Sequence, residues 1–548
     1  MGSFTEKSER RVLPLWKNSR YAAQSSEVQP LKLRRLRRIE PNVTDLATRI
    51  ADFDLQPSIG TAADVLNSAV LSENIEAARS AARYIDARTD IAPLSLLRVA
   101  RTVLQGKPES SEMASTAISE LRRQLRLEPR NPVLQVDIAR EYCAIGKLDA
   151  AEKAIMIAVA CSSGDRWVHR MAARFMVHAG RKDEAHALIA GHPDAKQDPW
   201  LLSAEIALAQ TAERAPRYWS NAGSLLKGNL PPQHLSELAC AVGTLELAGG
   251  NSKKAKRNFR AALIAPSDNA LAQVKWAERT LRTTLTDDET IAEGRRAFEA
   301  RFWSAYYRGD MADAMAYARA WWKEEPYSTR PATMLSYVGS LLDHTLVVQE
   351  AAKRGLRANP DDRTLQLNLM FAELSALLSP GDIPGEGLDD DRVAPIYKRL
   401  LHLARDKHFS AHAYANIGLA NYRVGRLEAG AVAYRTAATL AAAANDSIQE
   451  ATTKIFHARE AFLSGSVDFP VVLDDVRNAL NRVKSPGLKF YLSKLELLAR
   501  YPDRRKEILS PSFSLPRIGE EPSGHRQPQF KIQSGKATII LPKGYKPR

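Results

Sequence analysis

The sequence contains few cysteines and few aromatic residues. Of its 548 residues only three are cysteine, Cys143, Cys161 and Cys240, and no two of them form a Cys-x-x-Cys pair. A disulfide framework or a zinc site is therefore not expected, and a reducing compartment fits best. Aromatic residues make up 7% of the chain. Ala-rich runs are frequent, and they favour helices over sheets because alanine is the strongest helix former.

Long apolar runs and targeting signals are also missing. There is no run of about 18 apolar residues of the kind that spans a membrane. The N-terminal stretch MGSFTEKSERRVLPLWKNSR has no apolar core of signal-peptide length. Glu6 stands where a myristoylation signal requires Ser or Thr. These features predict a cytoplasmic protein.

Catalytic signatures are missing too. The sequence has no G-x-x-x-x-G-K-[ST], G-x-G-x-x-G or G-x-S-x-G motif. His408 and His412 would share a helix face, and Asp389–Asp391 form an acidic run, but neither set has the spacing of a metal site. We expect no catalytic, cofactor-binding or metal-binding residues, no cofactor, and a protein that is not an enzyme.

Positive charge is concentrated at the two ends of the chain. The formal net charge is +15. Residues 1–40 and residues 503–548 each contribute +6, which leaves +3 for everything between them. A protein that binds nucleic acid over its whole surface would carry its basic residues differently.

A period of 34 residues runs through much of the chain. REYCAIGKLDAAEKAIMIA aligns with RFMVHAGRKDEAHALIAGH, so that Gly146 and Gly180 lie 34 positions apart, as do Ala151 and Ala185. The stretches LAGGNSKKAKRNFRAALIAP and GLANYRVGRLEAGAVAYRTAATL repeat the same pattern.

The residue types at these positions are typical of helical hairpins. Gly146, Gly180, Gly250 and Gly425 stand where a first helix must end, and glycine tolerates the left-handed cap conformation there. Small residues stand where two helices approach, large ones fill the space between helices, prolines stop the second helix, and Asp or Asn caps the next one. The small residues are Ala151, Ala185 and Ala255, and the large ones are Tyr142, Phe259 and Tyr434. The prolines are Pro129, Pro326 and Pro360, and the capping residues are Asn131, Asp361 and Asp362.

These residues and their spacing resemble the tetratricopeptide repeat (TPR) family, which has two antiparallel helices per repeat. The resemblance implies an all-α fold, a right-handed superhelical α-solenoid of helical hairpins whose concave face is a binding groove. The regions that carry it most clearly are 98–199, 236–269, 295–362 and 411–444.

The pattern divides the chain into five segments. We expect a basic N-terminal extension at 1–45, a first solenoid part at 46–377, a loop or insertion at 378–392, a second solenoid part at 393–502, and a basic C-terminal tail at 503–548. The loop assignment rests on LSPGDIPGEGLDDDR, which is rich in Gly, Pro and Asp.

Two stretches outside the repeats have patterns of their own. AQVKWAERTLRTTL predicts an extra helix within 270–294. In the tail, PQFKIQSGKATIILPKGY alternates as a short β-hairpin does, with its turn at Ser534 and Gly535.

In the TPR family the groove is lined mainly by the first helix of each repeat. Projecting that register onto this chain selects Trp, Tyr and Arg residues, the types that dominate interface energetics. The alternative is that several of them pack between repeats. The candidate partner-binding residues are Trp167, Arg170, Arg174, Trp303, Tyr306, Tyr307, Arg330, Tyr337, His412, Tyr422 and Arg423.

The segment LKLRRLRRIE is a separate candidate for binding. As a helix it would be amphipathic, with Arg34, Arg35, Arg37 and Arg38 between its apolar residues. Such a helix suits an anionic membrane surface, nucleic acid or an acidic protein. The alternative is a solvated lead-in that caps the first repeat.

Taken together, the sequence predicts a non-enzymatic scaffold or adaptor that binds a protein partner in the concave groove. Two alternatives stay open. One is a nucleic-acid-associated protein that uses its basic termini, and the other is a peripheral membrane assembly factor anchored by the basic N-terminal segment.

Overall fold

The chain is all-helical except for two short C-terminal strands. A computed structural model describes Trp16 and residues 43–71, 75–105, 110–294, 296–378, 390–511, 513, 529–533 and 536–540. The helices are α1 (Val43–Leu55), α2 (Ile59–Leu71), α3 (Ile75–Asp86), α4 (Leu94–Gln105), α5 (Ser110–Leu127), α6 (Pro132–Ala144), α7 (Leu148–Cys161), α8 (Arg166–His178), α9 (Lys182–Ala190), α10 (Pro199–Thr211), α11 (Trp219–Lys227), α12 (Pro232–Ala248), α13 (Ser252–Ala262), α14 (Asp268–Leu281), α15 (Asp288–Glu293), α16 (Phe298–Arg308), α17 (Met311–Glu324), α18 (Thr329–Leu341), α19 (Thr345–Ala358), α20 (Arg363–Ser375), α21 (Asp390–Leu403), α22 (Ser410–Arg423), α23 (Leu427–Ala443), α24 (Ser447–Leu463), α25 (Phe469–Leu480), α26 (Pro486–Arg500) and α27 (Arg505–Ile508), with a 3₁₀ turn at Pro502–Arg504.

Consecutive helices pack as hairpins, and consecutive hairpins pack side by side. The most extensive contacts are those of α22 with α23, α12 with α13, α6 with α7, α16 with α17 and α18 with α19. This is the packing order of a helical solenoid, in which each unit buries its apolar face against its neighbours.

The local signals of the repeat are confirmed by the backbone. Gly146, Gly180, Gly250 and Gly425 all have positive φ. Asn131 accepts hydrogen bonds from the first turn of α6, with its side-chain oxygen 3.1 Å from the backbone nitrogen of Val133. Asp362 caps α20 in the same way. The alanines expected at close helix approaches, Ala151, Ala185 and Ala255, are fully buried.

The array also returns on itself, so that helices far apart in sequence touch. α6 contacts α19, and α26 contacts both α16 and α18. Arg140 on α6 donates a hydrogen bond from Nη2 to the carbonyl oxygen of Glu324, 184 residues later, over 2.7 Å. The hydroxyl oxygen of Tyr306 on α16 lies 3.0 Å from the hydroxyl oxygen of Ser485, which precedes α26.

Two large apolar clusters follow from this arrangement. The larger one runs from α16 to α27 and includes Phe302, Trp321 and Tyr491. The other combines residues of α5 to α10 with Trp16 and Tyr327. Each cluster therefore holds side chains that neighbouring repeats alone would not bring together.

The segments expected outside the repeats are only partly described. The predicted extra helix corresponds to α14. Of the predicted loop at 378–392, residues 379–389 lie outside the described residues, and α21 begins at Asp390. Strands β1 (Gln529–Gln533) and β2 (Lys536–Ile540) pair antiparallel. The expected turn residues Ser534 and Gly535 lie outside the described part of the chain.

Candidate functional site

The residues predicted to line the groove lie in the interior of the folded chain. Arg174, Tyr307 and Arg330 are half-buried. The others are buried: Trp167, Arg170, Trp303, Tyr306, Tyr337, His412, Tyr422 and Arg423. Their immediate neighbours are other residues of the same chain, which matches the alternative of packing between repeats.

The arginines of this set pair with carboxylates on neighbouring helices. Nη2 of Arg170 lies 2.5 Å from Oε2 of Glu237, and both side chains are almost fully buried. Arg170 also stacks over Trp200, with 5.1 Å between the guanidinium carbon and the ring centroid. Arg330 likewise forms an ion pair, with Glu299. These pairs neutralise charges that would otherwise be costly to bury.

Four of the six aromatic members, Trp303, Tyr306, Tyr307 and Tyr337, form one cluster where α16, α18 and the start of α26 meet. The hydroxyl oxygens of Tyr306 and Tyr337 lie 3.3 Å apart. The rings of Trp303 and Tyr307 stack with centroids 5.9 Å apart. Burial raises the pKa of Tyr307 to about 12, so this hydroxyl stays protonated at neutral pH.

His412 and the four arginines of the basic N-terminal segment remain to be placed. Burial lowers the pKa of His412 well below its usual value, which keeps the imidazole neutral. Arg34, Arg35, Arg37 and Arg38 lie outside the described residues. Within the described residues, no group of three or more His, Cys, Asp or Glu side chains is placed to hold a metal ion.

A site that sequence reasoning missed lies around Trp16. This residue of the N-terminal extension is completely buried, in the second apolar cluster. Its indole packs against Tyr327 and Phe175, at centroid distances of 5.4 Å and 6.4 Å. Trp16 thus attaches the N-terminal extension to the interior of the array.

Both backbone groups of Trp16 are held by side chains of the solenoid. Its backbone N–H donates to the hydroxyl oxygen of Tyr327 over 3.1 Å. Its carbonyl oxygen accepts from Nε of Arg140 over 2.9 Å. Because a second nitrogen of Arg140 is bonded to the Glu324 carbonyl, the guanidinium group joins the two distant parts of the array and Trp16 in one network.

The surroundings of Trp16 are mixed aromatic and cationic. Arg174, one of the predicted groove residues, lies over the Tyr327 ring at 5.5 Å and pairs with Glu325 at 3.6 Å. His178 contacts the same ring at 5.7 Å. Burial, and after it the charge of Arg174, lowers the pKa of His178 to about 4. Burial raises the pKa of Tyr327 to about 12, so the hydroxyl remains available for its hydrogen bond.

The sequence contained a weak signal for this site. VLPLW, residues 12–16, is a short apolar run inside a strongly charged extension. A buried tryptophan commonly supplies a large apolar area to a protein interface. Nothing in the period of 34 residues indicated where that run would dock.

No protein-family model matches this chain, and none of the curated proteins matches it. In the described residues, no helix combines the length and the apolar character needed to cross a bilayer.

Proposed function

We propose that this protein is a non-enzymatic scaffold or adaptor that binds a segment of a protein partner. In this proposal the consecutive hairpins form a right-handed superhelical solenoid of the TPR type. The contacts of α6 with α19 and of α26 with α16 and α18 support a superhelix whose successive turns touch.

The observation that carries the proposal is the capture of Trp16. The array buries an aromatic side chain that is remote in sequence, and it also binds the N–H and C=O of that residue with Tyr327 and Arg140. Recognition of backbone groups together with an anchoring side chain is how peptide-binding proteins hold an extended segment. The Trp16 site is therefore a peptide site that the chain's own extension fills.

The expected partner segment presents a tryptophan or a similar large aromatic residue. The pocket offers the rings of Tyr327 and Phe175, and such pairs favour an aromatic guest. Nε1 of Trp16 is buried and has no hydrogen-bond partner among the described residues, so a phenylalanine side chain fits the same contacts without losing a bond.

The tethered segment competes with any partner segment for this site. Because Trp16 and the site belong to one chain, their association is intramolecular, which typically corresponds to an effective concentration in the millimolar range. Partner binding is then weak while Trp16 occupies the site, and it strengthens when Trp16 leaves. The extension acts as a built-in competitor.

Capture from native cytosol tests this proposal with three full-length proteins: wild type, Trp16→Phe and Trp16→Ala. We expect the Ala variant to retain a protein partner that the wild-type and Phe proteins hold weakly, after high-salt washing and nuclease treatment. A synthetic peptide of residues 8–24 should displace that partner. Capture that is equal for all three proteins, or that depends on nucleic acid, contradicts the proposal.

A further inference from the structure

A cavity lies in the part of the chain that forms the larger apolar cluster. It opens between the α18–α19 turn and helices α20, α22 and α24, and its volume is about 80 Å³. Since one buried water occupies ~10–15 Å³ on this measure, the space suits a molecule of roughly five to eight non-hydrogen atoms. Its polar lining comes from Ser340, Asp343, Thr345, Ser375, Arg423 and Arg459.

The charged groups around this cavity do not balance. Arg423 and Arg459 both pair with Glu460, at 2.5 Å and 2.6 Å. Lys494 pairs with Asp343 at 2.5 Å, and Arg459 also approaches Asp343 at 3.5 Å. Three cations thus face two carboxylates. All five side chains are nearly buried, since the most exposed of them, Asp343, shows 11% of its surface.

Glu460 and the neighbouring Tyr491 have shifted pKa values. Burial alone would raise the pKa of the Glu460 carboxyl, but Arg423 and Arg459 outweigh that effect and hold it below its usual value. Tyr491 donates a hydrogen bond to Asp343 over 2.8 Å, and burial raises the pKa of Tyr491 well above its usual value, so Tyr491 brings no negative charge. Among the described residues one positive charge therefore has no counterion in a poorly solvated region, which is unfavourable.

Two further groups at the cavity favour an anion. Helix α19 begins at Thr345 in the cavity wall, and its N-cap residue His344 makes no side-chain hydrogen bond to the first turn. The N-terminal end of α19, where the helix dipole favours negative charge, thus forms part of the cavity wall. The hydroxyl oxygen of Ser375 is buried there and has no hydrogen-bond partner among the described residues.

The other half of the wall is apolar. Val348, Phe371 and Leu378 contribute to it, together with Leu463 and Leu509. A bare inorganic anion would leave these side chains facing its charge. A ligand with one anionic group and a short hydrocarbon part satisfies both halves of the wall.

We infer that this cavity binds a small monocarboxylate of about three to six carbon atoms, with the carboxylate directed at Arg423, Arg459 and Ser375. One negative charge completes the balance of the buried cluster. The hydrocarbon part lies against Phe371 and its apolar neighbours. This site is separate from the Trp16 site and does not depend on the scaffold proposal.

Calorimetric titration of the full-length protein tests the inference with three probes of similar size. These are 3-methylbutanoate, its neutral isostere 3-methylbutanamide, and inorganic phosphate. We expect saturable binding of the carboxylate at one site. The amide should bind roughly 10- to 100-fold more weakly, because a hydrogen bond to a charged group contributes about 1.5–3 kcal/mol. Phosphate should also bind more weakly, because it leaves the apolar wall unfilled.

Cavity-filling variants supply the control. Ser375→Leu and, independently, Thr345→Leu should each weaken carboxylate binding at least tenfold, whereas Thr439→Leu on the exposed side of α23 should not. Circular dichroism checks that each variant is folded. One cavity variant that folds is sufficient to test whether the carboxylate binds in the cavity. Equal binding of carboxylate and amide, stronger binding of phosphate, unchanged binding by a folded cavity variant, or no binding by the wild type overturns the inference.

Discussion

The carbonyl oxygen of Arg357 lies directly against Gly146, so close that a Cβ atom at position 146 would overlap it. Gly146 ends α6, and Arg357 belongs to the last turn of α19. The two residues come from distant repeats, and their contact is part of the closure that also brings Arg140 to Glu324 and to Trp16. This glycine therefore serves both a local turn and a long-range contact.

The first prediction concerns this double role. Gly146 and Gly180 have similar positive φ values, 74° and 79°, but only Gly146 has a neighbour within 4 Å of the added methyl group. Gly180→Ala should cost about 1–2 kcal/mol, the strain of a left-handed non-glycine residue. Gly146→Ala should cost clearly more, because it also forces α6 away from α19.

Thermal unfolding of the two variants checks this prediction. A lower melting temperature for Gly146→Ala than for Gly180→Ala is expected. Faster hydrogen exchange in α19 should accompany it for Gly146→Ala only. Equal melting temperatures with unchanged exchange in α19 would show that the contact between α6 and α19 does not stabilise the fold.

The second prediction concerns the buried ion pair of Arg170 and Glu237. Arg170→Met leaves Glu237 buried without its counterion, which should cost about 3–5 kcal/mol. The double variant Arg170→Met with Glu237→Gln removes both charges and should recover most of that loss. Denaturant midpoints measure the difference.

A surface pair provides the comparison for this experiment. Arg181 and Glu184 form a bidentate contact, and their side chains are 32% and 56% exposed. Arg181→Met should cost less than about 1 kcal/mol, as is usual for exposed pairs. If Arg170→Met costs as little unfolding free energy as Arg181→Met, the Glu237 carboxylate does not lie in a buried environment.

The third prediction concerns acid stability. Burial, followed by the charge of Arg435, lowers the pKa of His457 from 6.5 to about 4. The unfolded chain then binds a proton that the folded chain does not, so the contribution of this group is complete above pH 6.5 and is lost as the pH falls towards 4. Between pH 7 and pH 5 the loss amounts to about 2 kcal/mol.

Replacement by phenylalanine isolates the effect. His457 stacks on Tyr434 with centroids 5.2 Å apart, and a phenyl ring preserves that contact. His457→Phe should flatten the dependence of unfolding free energy on pH in this window, whereas His408→Phe at an exposed position should not. Parallel curves for wild type and His457→Phe would mean that the imidazole has the same pKa in the folded and the unfolded chain.

Much of the fold could be predicted from the sequence because it depends on local interactions. The glycines that end first helices, the alanines at close approaches and the caps Asn131 and Asp362 act within a few residues. Two of these signals recur 34 positions later, at Gly146 and Gly180 and at Ala151 and Ala185. A single hairpin is therefore enough to recognise them. The same locality explains why α14 was expected between repeats.

The site could not be predicted, because it depends on how the array closes. Arg170 and Arg423 were expected to face an open groove, but each finds a buried carboxylate on a later helix, 67 and 37 residues away respectively. Small rotations add up over several repeats and decide which helices meet. For the same reason the docking position of Trp16 could not be inferred from its own segment.

The most direct measurement of the central claim, that the array is a peptide-binding scaffold occupied by Trp16, is fluorescence anisotropy with a labelled peptide of residues 8–24. We expect saturable binding to the full-length Trp16→Ala protein and at least tenfold weaker binding to the wild type, since a tethered competitor at roughly millimolar effective concentration occupies the wild-type site. A peptide with alanine in place of Trp16 should not bind. Equal binding to both proteins, or equal binding of the alanine peptide, would contradict the account.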